Sequence, residues 1–221
     1  MKLLKEALVK FSCGLLLVGL LLFLPAGTLG YGRGWLLIAL LFVPMLIAGF
    51  VMFFKAPDFL KKRLDAKEKQ ASQKGVVAFS GLMFVAGFVV AGLDHRFGWS
   101  NMSSWLVAVA SVLFVVSYAL YAEVMRENAY LSRTVQVQEN QRVVDTGMYA
   151  IVRHPMYAVT IVLFLMMPLV LGSYYALIPF AFYPAAIVVR LKEEEKLLTR
   201  ELSGYRAYKR KVRYRLIPFI W

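Results

Sequence analysis

Residues 158–189 read AVTIVLFLMMPLVLGSYYALIPFAFYPAAIVV, 32 positions without a charged side chain. One spanning helix needs about 20 mostly apolar residues, so this stretch is too long for a single straight crossing. It breaks at Leu171-Gly172-Ser173, where glycine and serine favour a turn. The stretch therefore reads as two short helices, 158–171 and 174–189, folded back on each other. Pro168, Pro179 and Pro184 kink them, which packed membrane helices tolerate because neighbours satisfy the freed carbonyls.

Four more apolar stretches lie upstream, at 7–24, 34–54, 75–93 and 105–122, giving six helices in all. Sorting the Lys and Arg residues by the segments between these helices tests the count, because cytoplasmic loops carry the excess. Of the 26 basic residues, 24 fall on one side and only Arg33 and Arg96 on the other. The charge bias predicts an all-α polytopic membrane protein with both termini in the cytoplasm. It also places there a basic connector at 55–74 and the segment 123–157. The first helix reads as a membrane span rather than a cleaved leader, since its apolar core exceeds the usual 7–15 residues and the small residues Pro25-Ala26-Gly27 after it make no clean A-x-A site.

Composition agrees. The 221 residues are 60% hydrophobic and 18% charged, with a net charge of +13. Soluble domains are about half apolar and about a quarter charged. Such a chain is neither a disordered tail nor a disulfide scaffold, since its one cysteine, Cys13, has no partner and reads as a small core residue. The charge is sorted by topology, which argues against nucleic-acid binding. Two histidines and one cysteine give no support for a metal centre. In the connector, Pro57 and Asp58 suit a helix start. The basic residues after them suit an interfacial amphipathic helix and a topology-setting loop equally well.

The chain divides into a four-helix region, 1–122, and a second region, 123–221, in which the polar residues gather. Ionisable groups at membrane depth mark transport paths, and the first four spans hold almost none. Polar side chains collect instead in 123–157 and 190–221, which bracket the helical pair and would meet at its cytoplasmic end. Pro155 restricts His154 to extended conformations, so the helix begins at or just after the proline. Arg153, His154 and Tyr157 cluster there, as a site or as interfacial anchors. Arg190 and Glu194 are four apart on one helical face, and Glu195 points elsewhere. By themselves they could be a solvated charge run. Beyond them, Tyr205, Tyr208 and the basic run 209–215 lead to an apolar end, 217–221, that returns to the interface.

The combination Gly147-Met-Tyr-Ala-Ile-Val-Arg-His-Pro-Met-Tyr157, a helical hairpin, Arg190-x3-Glu194-Glu195 and Gly204-Tyr205-x2-Tyr208 resembles the isoprenylcysteine carboxyl methyltransferase family. Phospholipid N-methyltransferases belong to the same superfamily. The resemblance covers about the last 90 residues of the chain. It implies S-adenosylmethionine bound in the cytoplasmic C-terminal region. His154, Pro155, Met156 and Tyr157 match the family's cofactor-binding HPxY. Tyr149 and Gln141, Arg142, Val143 and Val144 match positions lining the same pocket, with an upstream glutamine at Gln136 or Gln138. Arg190 matches the arginine that acts on a substrate carboxylate, and Glu194 or Glu195 the acid near the cofactor. The substrate implied is a prenylated or lipid-like carboxylate. A phospholipid amine is the alternative, for which glutamate would serve as base, and a non-catalytic scaffold or transporter is the rival from another class. The stretch Leu202-Ser-Gly-Tyr205 stands where many family members have FGxxY, and six helices differ from the eight of eukaryotic members.

Overall fold

The computed structural model describes residues 2–64, 71–131 and 134–221, without the side chains of Ala71 and Ser72. Among the described residues the chain forms nine α-helices and no strand. They are α1 (Lys2–Ala26), α2 (Gly32–Lys55), α3 (Pro57–Leu64), α4 (Ala71–Phe97), α5 (Ser104–Glu127), α6 (Pro155–Leu171), α7 (Tyr174–Phe180), α8 (Tyr183–Glu201) and α9 (Tyr205–Lys211). A short 3-10 turn, Gly147–Ala150, precedes α6. The helices α1, α2, α4, α5 and the segment Tyr174–Glu201 are each long and apolar enough to cross a membrane, and α6 is a shorter apolar helix. The hairpin of α6 with α7 and α8 stands where the sequence divides 158–189 in two.

Large apolar side chains cover the outside of the bundle; Leu24 is 69% exposed, Leu82 68% and Phe50 66%. Apolar surface in water costs about 25 cal/mol per Å², and soluble monomers rarely leave such broad patches bare. Lipid is the solvent that fits, and the chain is a multi-pass membrane protein. Cys13 faces outward too, not into the core, because α1 packs on one side only and keeps the other for lipid.

Helices extend beyond the apolar stretches at several ends, α5 running on to Glu127, since a helix satisfies its own backbone whatever its side chains. The final crossing is interrupted at Ala181 and Phe182. Pro184 has no N–H to give the Phe180 carbonyl, so the helix restarts around it. Of the basic connector 55–74, residues 65–70 lie outside the described residues; α3 begins at Pro57, and its Lys62 ammonium donates to the Gln138 side chain at 2.8 Å.

The hairpin turn is fixed by Gly172. Its φ of +75° is open to glycine, and a Cβ there would lie 2.0 Å from Arg33 Nη1. Tyr31 OH donates to the Leu171 carbonyl at 2.7 Å. The Ser173 hydroxyl donates to buried Asp94 and caps α7 by accepting from Ala176 N at 3.0 Å. Asp94 also accepts from Ser100 N at 2.7 Å and Ser100 Oγ at 2.6 Å. This polar staple holds one end of the bundle. At the other end a space opens between the segment that follows α5, the start of α6, and α8 with α9.

Candidate active site

The site is built where residues 128–157 fold back against α8, α9 and the C-terminal strap, residues 212–221. At the end of α5, Asn128 accepts from Tyr130 N at 3.0 Å and donates to Tyr149 OH at 2.9 Å. Glu127 accepts from Met148 N at 3.0 Å. Gly147 sits directly over that carboxylate with φ +52°, and a Cβ would come within 1.5 Å of Glu127 Oε1. Glycine is what the approach needs. The turn aims Tyr149 inward, and its carbonyl accepts from Tyr208 OH at 2.7 Å.

Pro155 occupies the first turn of α6, and His154 before it, at φ −129° and ψ 62°, stays out of the helical region that the proline ring disfavours without being fully extended. Two backbone bonds tie this corner to the C-terminal strap: Arg153 N donates to the Tyr214 carbonyl at 2.9 Å and His154 N to the Arg215 carbonyl at 3.0 Å. The Arg153 guanidinium is buried. Its Nη1 donates to the Val212 and Arg213 carbonyls, both at 2.8 Å, and its Nε to Glu195 Oε1 at 2.6 Å. Glu195 also takes Arg215 Nε at 3.1 Å and lies 3.4 Å from His154 Nε2, with Lys209 at 4.0 Å. A buried carboxylate is sustained only by such partners. Glu195 thus pins α8, the Arg153–His154 corner and the strap together.

One helical position earlier, Glu194 faces the other way. It accepts from Tyr157 OH, and the same hydroxyl accepts from Arg190 Nε at 3.2 Å. The buried Tyr157 ring stacks on His154, centroids 5.7 Å apart. Arginine, phenol and carboxylate form one hydrogen-bonded row along the wall of a cavity. That cavity is open at its mouth and is lined from the 128–157 segment, α6, α8 and α9.

Of the residues singled out in the sequence, Gln141, Arg142, Val143, Val144, Tyr149, His154, Met156, Tyr157, Arg190 and Glu194 line this cavity. Gln138, Pro155 and Glu195 do not. The glutamine on the wall is Gln136, while Gln138 staples its own loop, donating to the Tyr130 carbonyl at 2.5 Å. Arg153 also lines the cavity, held by Glu195 rather than by headgroups. Sequence reasoning assigned no site role to Asn128, Leu131, Leu197, Leu198, Leu202, Tyr205 or Tyr208, which are among the other lining residues. Tyr205 and Tyr208 are three apart on one face of α9, and that spacing was the available signal. Burial pushes the phenols of Tyr149, Tyr205 and Tyr208 well above their usual range, so all three are neutral hydroxyls.

Residues 106–200 match the family model of isoprenylcysteine carboxyl methyltransferase. The match covers α5, the loop and 3-10 turn, the helical hairpin and nearly all of α8, and bears out the resemblance carried by the RHPxY and Arg–Glu–Glu stretches. It stops short of α9 and the strap. A Bacillus subtilis (strain 168) protein, the uncharacterized protein YpbQ, is 26% identical over 165 residues, which span 74% of this chain and 95% of that protein.

Proposed function

We propose that this chain, whose cavity-forming segment matches a methyltransferase family, is an S-adenosylmethionine-dependent O-methyltransferase acting on a prenylated or lipid-like carboxylate. The observation that carries the reading is the Arg190–Tyr157–Glu194 row on the wall of the cavity. The residues fit the cofactor. The cavity offers a carboxylate for a cationic group, and it contains a buried hydroxyl, Tyr205 OH, with no hydrogen-bond partner.

His154, Met156, Tyr157, Tyr149 and the run 141–144 would hold the cofactor, with Gln136 in place of Gln138. When bound, S-adenosylmethionine supplies an electrophilic methyl group on a sulfonium. The chain's part is to bind, orient and keep water out. Arg190 holds the acceptor's anionic oxygen toward the cavity, and Tyr157 fixes its guanidinium by accepting from Nε. Glu194, oriented by the Tyr157 hydroxyl, would supply the negative charge that a cationic cofactor needs in the cavity. A carboxylate acceptor is already a nucleophile and needs no general base. Leu131, Leu197, Leu198 and Leu202 give the cavity an apolar wall that excludes water. Glu195 acts through Arg153 and His154 as a positioning residue. The bias in Lys and Arg supports a cytoplasmic site with both termini on that side.

The test is a labelled-methyl assay on the purified protein in lipid nanodiscs, offering a farnesylcysteine analogue and phosphatidylethanolamine in parallel. A base-labile methyl ester on the prenylcysteine supports the reading. Label on the phospholipid amine, or on neither, overturns the acceptor assignment.

A further inference from the structure

Tyr205 opens α9, just past the segment that matches the family model. It is 4% exposed and lines the cavity, yet its hydroxyl has no hydrogen-bond partner. The only other buried side-chain atom so orphaned among the described residues is Gln73 Oε1, which is not on the cavity wall. A buried polar atom left without a partner carries its full desolvation penalty, and native structures satisfy nearly all of them. The neighbouring phenols show what satisfaction looks like here: Tyr149 OH accepts from Asn128, and Tyr208 OH donates to the Tyr149 carbonyl.

The surroundings of Tyr205 narrow what could satisfy it. It packs with Leu202, Tyr208 and Val212, and Val137, Val143 and Leu198 lie against the same cluster. Its ring centroid is 5.7 Å from that of Tyr208. The ring thus belongs to an apolar, partly aromatic part of the lining, while Glu195, Glu194 and Arg153 act on its phenol through space. A flat heteroaromatic ring suits such a place, because its faces are apolar and its edge carries nitrogen acceptors.

We propose that Tyr205 is a ligand-binding residue whose hydroxyl donates to a ring nitrogen of the cofactor's adenine. This rests on the cofactor reading, and the experiment separates the two. S-Adenosylhomocysteine is titrated calorimetrically into wild-type protein and Tyr205→Phe in nanodiscs, together with its 1-deaza, 3-deaza and 7-deaza analogues. Phenylalanine keeps the ring and removes only the hydroxyl. The expected result is a loss of affinity of about 3- to 10-fold in the variant, the size of one neutral hydrogen bond. One deaza analogue should show the same loss in wild type and no further loss in Tyr205→Phe. Thermal unfolding of the ligand-free protein gives a readout that a merely structural role would move: Tyr205→Phe should unfold at or above the wild-type temperature, whereas Tyr208→Phe, which breaks a bond to Tyr149, should unfold below it.

Wild-type protein that binds no S-adenosylhomocysteine overturns the cofactor reading. Binding that is equal in wild type and Tyr205→Phe leaves that reading standing and overturns the role of Tyr205. A Tyr205→Phe loss that persists undiminished with all three deaza analogues overturns the adenine assignment.

Discussion

Replacing Glu195 with glutamine removes one charge and almost no volume, at the junction where α8, the Arg153–His154 corner and the strap meet. Breaking a buried ion pair by removing one partner costs about 3–5 kcal/mol. Two features of the structure pull toward the lower end. Arg153 keeps two carbonyl acceptors at 2.8 Å, and the glutamine oxygen can still accept from its Nε. A loss of about 3 kcal/mol is the reasoned value. For a chain of this length, each kcal/mol shifts the melting point by about 2–4 °C, so the variant should melt about 6–12 °C lower. Thermal unfolding in nanodiscs reads this directly. A double-mutant cycle with Arg153→Gln should be strongly non-additive, because both changes disrupt one pair. Below its new melting point, Glu195→Gln should bind cofactor more weakly while kcat stays within a few-fold of wild type. A melting shift under about 2 °C, or a large fall in kcat with unchanged cofactor affinity, would refute the positioning role.

Glu194→Gln leaves the buried ion cluster intact and should melt close to wild type, with its loss in the methyl-transfer rate; initial rates at saturating cofactor check this. Tyr157→Phe removes the hydroxyl that accepts from Arg190 and donates to Glu194, and should raise the acceptor KM as well as lower the rate. Gly172→Ala forces a left-handed φ onto a residue whose Cβ would strike Arg33, and should cost about 1–3 kcal/mol, seen as a lower melting point with cofactor affinity at the far end of the bundle unchanged.

The frame of the molecule was legible because it rests on local rules. Gly172 and Ser173 mark the hairpin, Pro155 marks the start of α6, and each acts within a few residues of itself. The Arg190–Glu194 face follows from helical period alone. What was not legible depends on distant segments meeting. Glu195 reads as a second catalytic acid until Arg153, 42 residues upstream, and Arg215, 20 downstream, are seen to enclose it. The choice between Gln136 and Gln138 lies in a non-helical segment, where no period says which side chain faces inward. Cys13 shows the same limit in reverse: an apolar helix position in a membrane protein can face lipid as readily as core.

The central claim is that the cavity between residues 128–157 and 190–208 holds S-adenosylmethionine. Ultraviolet crosslinking of methyl-labelled S-adenosylmethionine to the nanodisc-embedded protein, followed by peptide mapping, tests it most directly. Saturable labelling, competed by S-adenosylhomocysteine, is expected on peptides from 136–157 or 194–208. Labelling confined to α1–α4, or none that a competitor displaces, would contradict it.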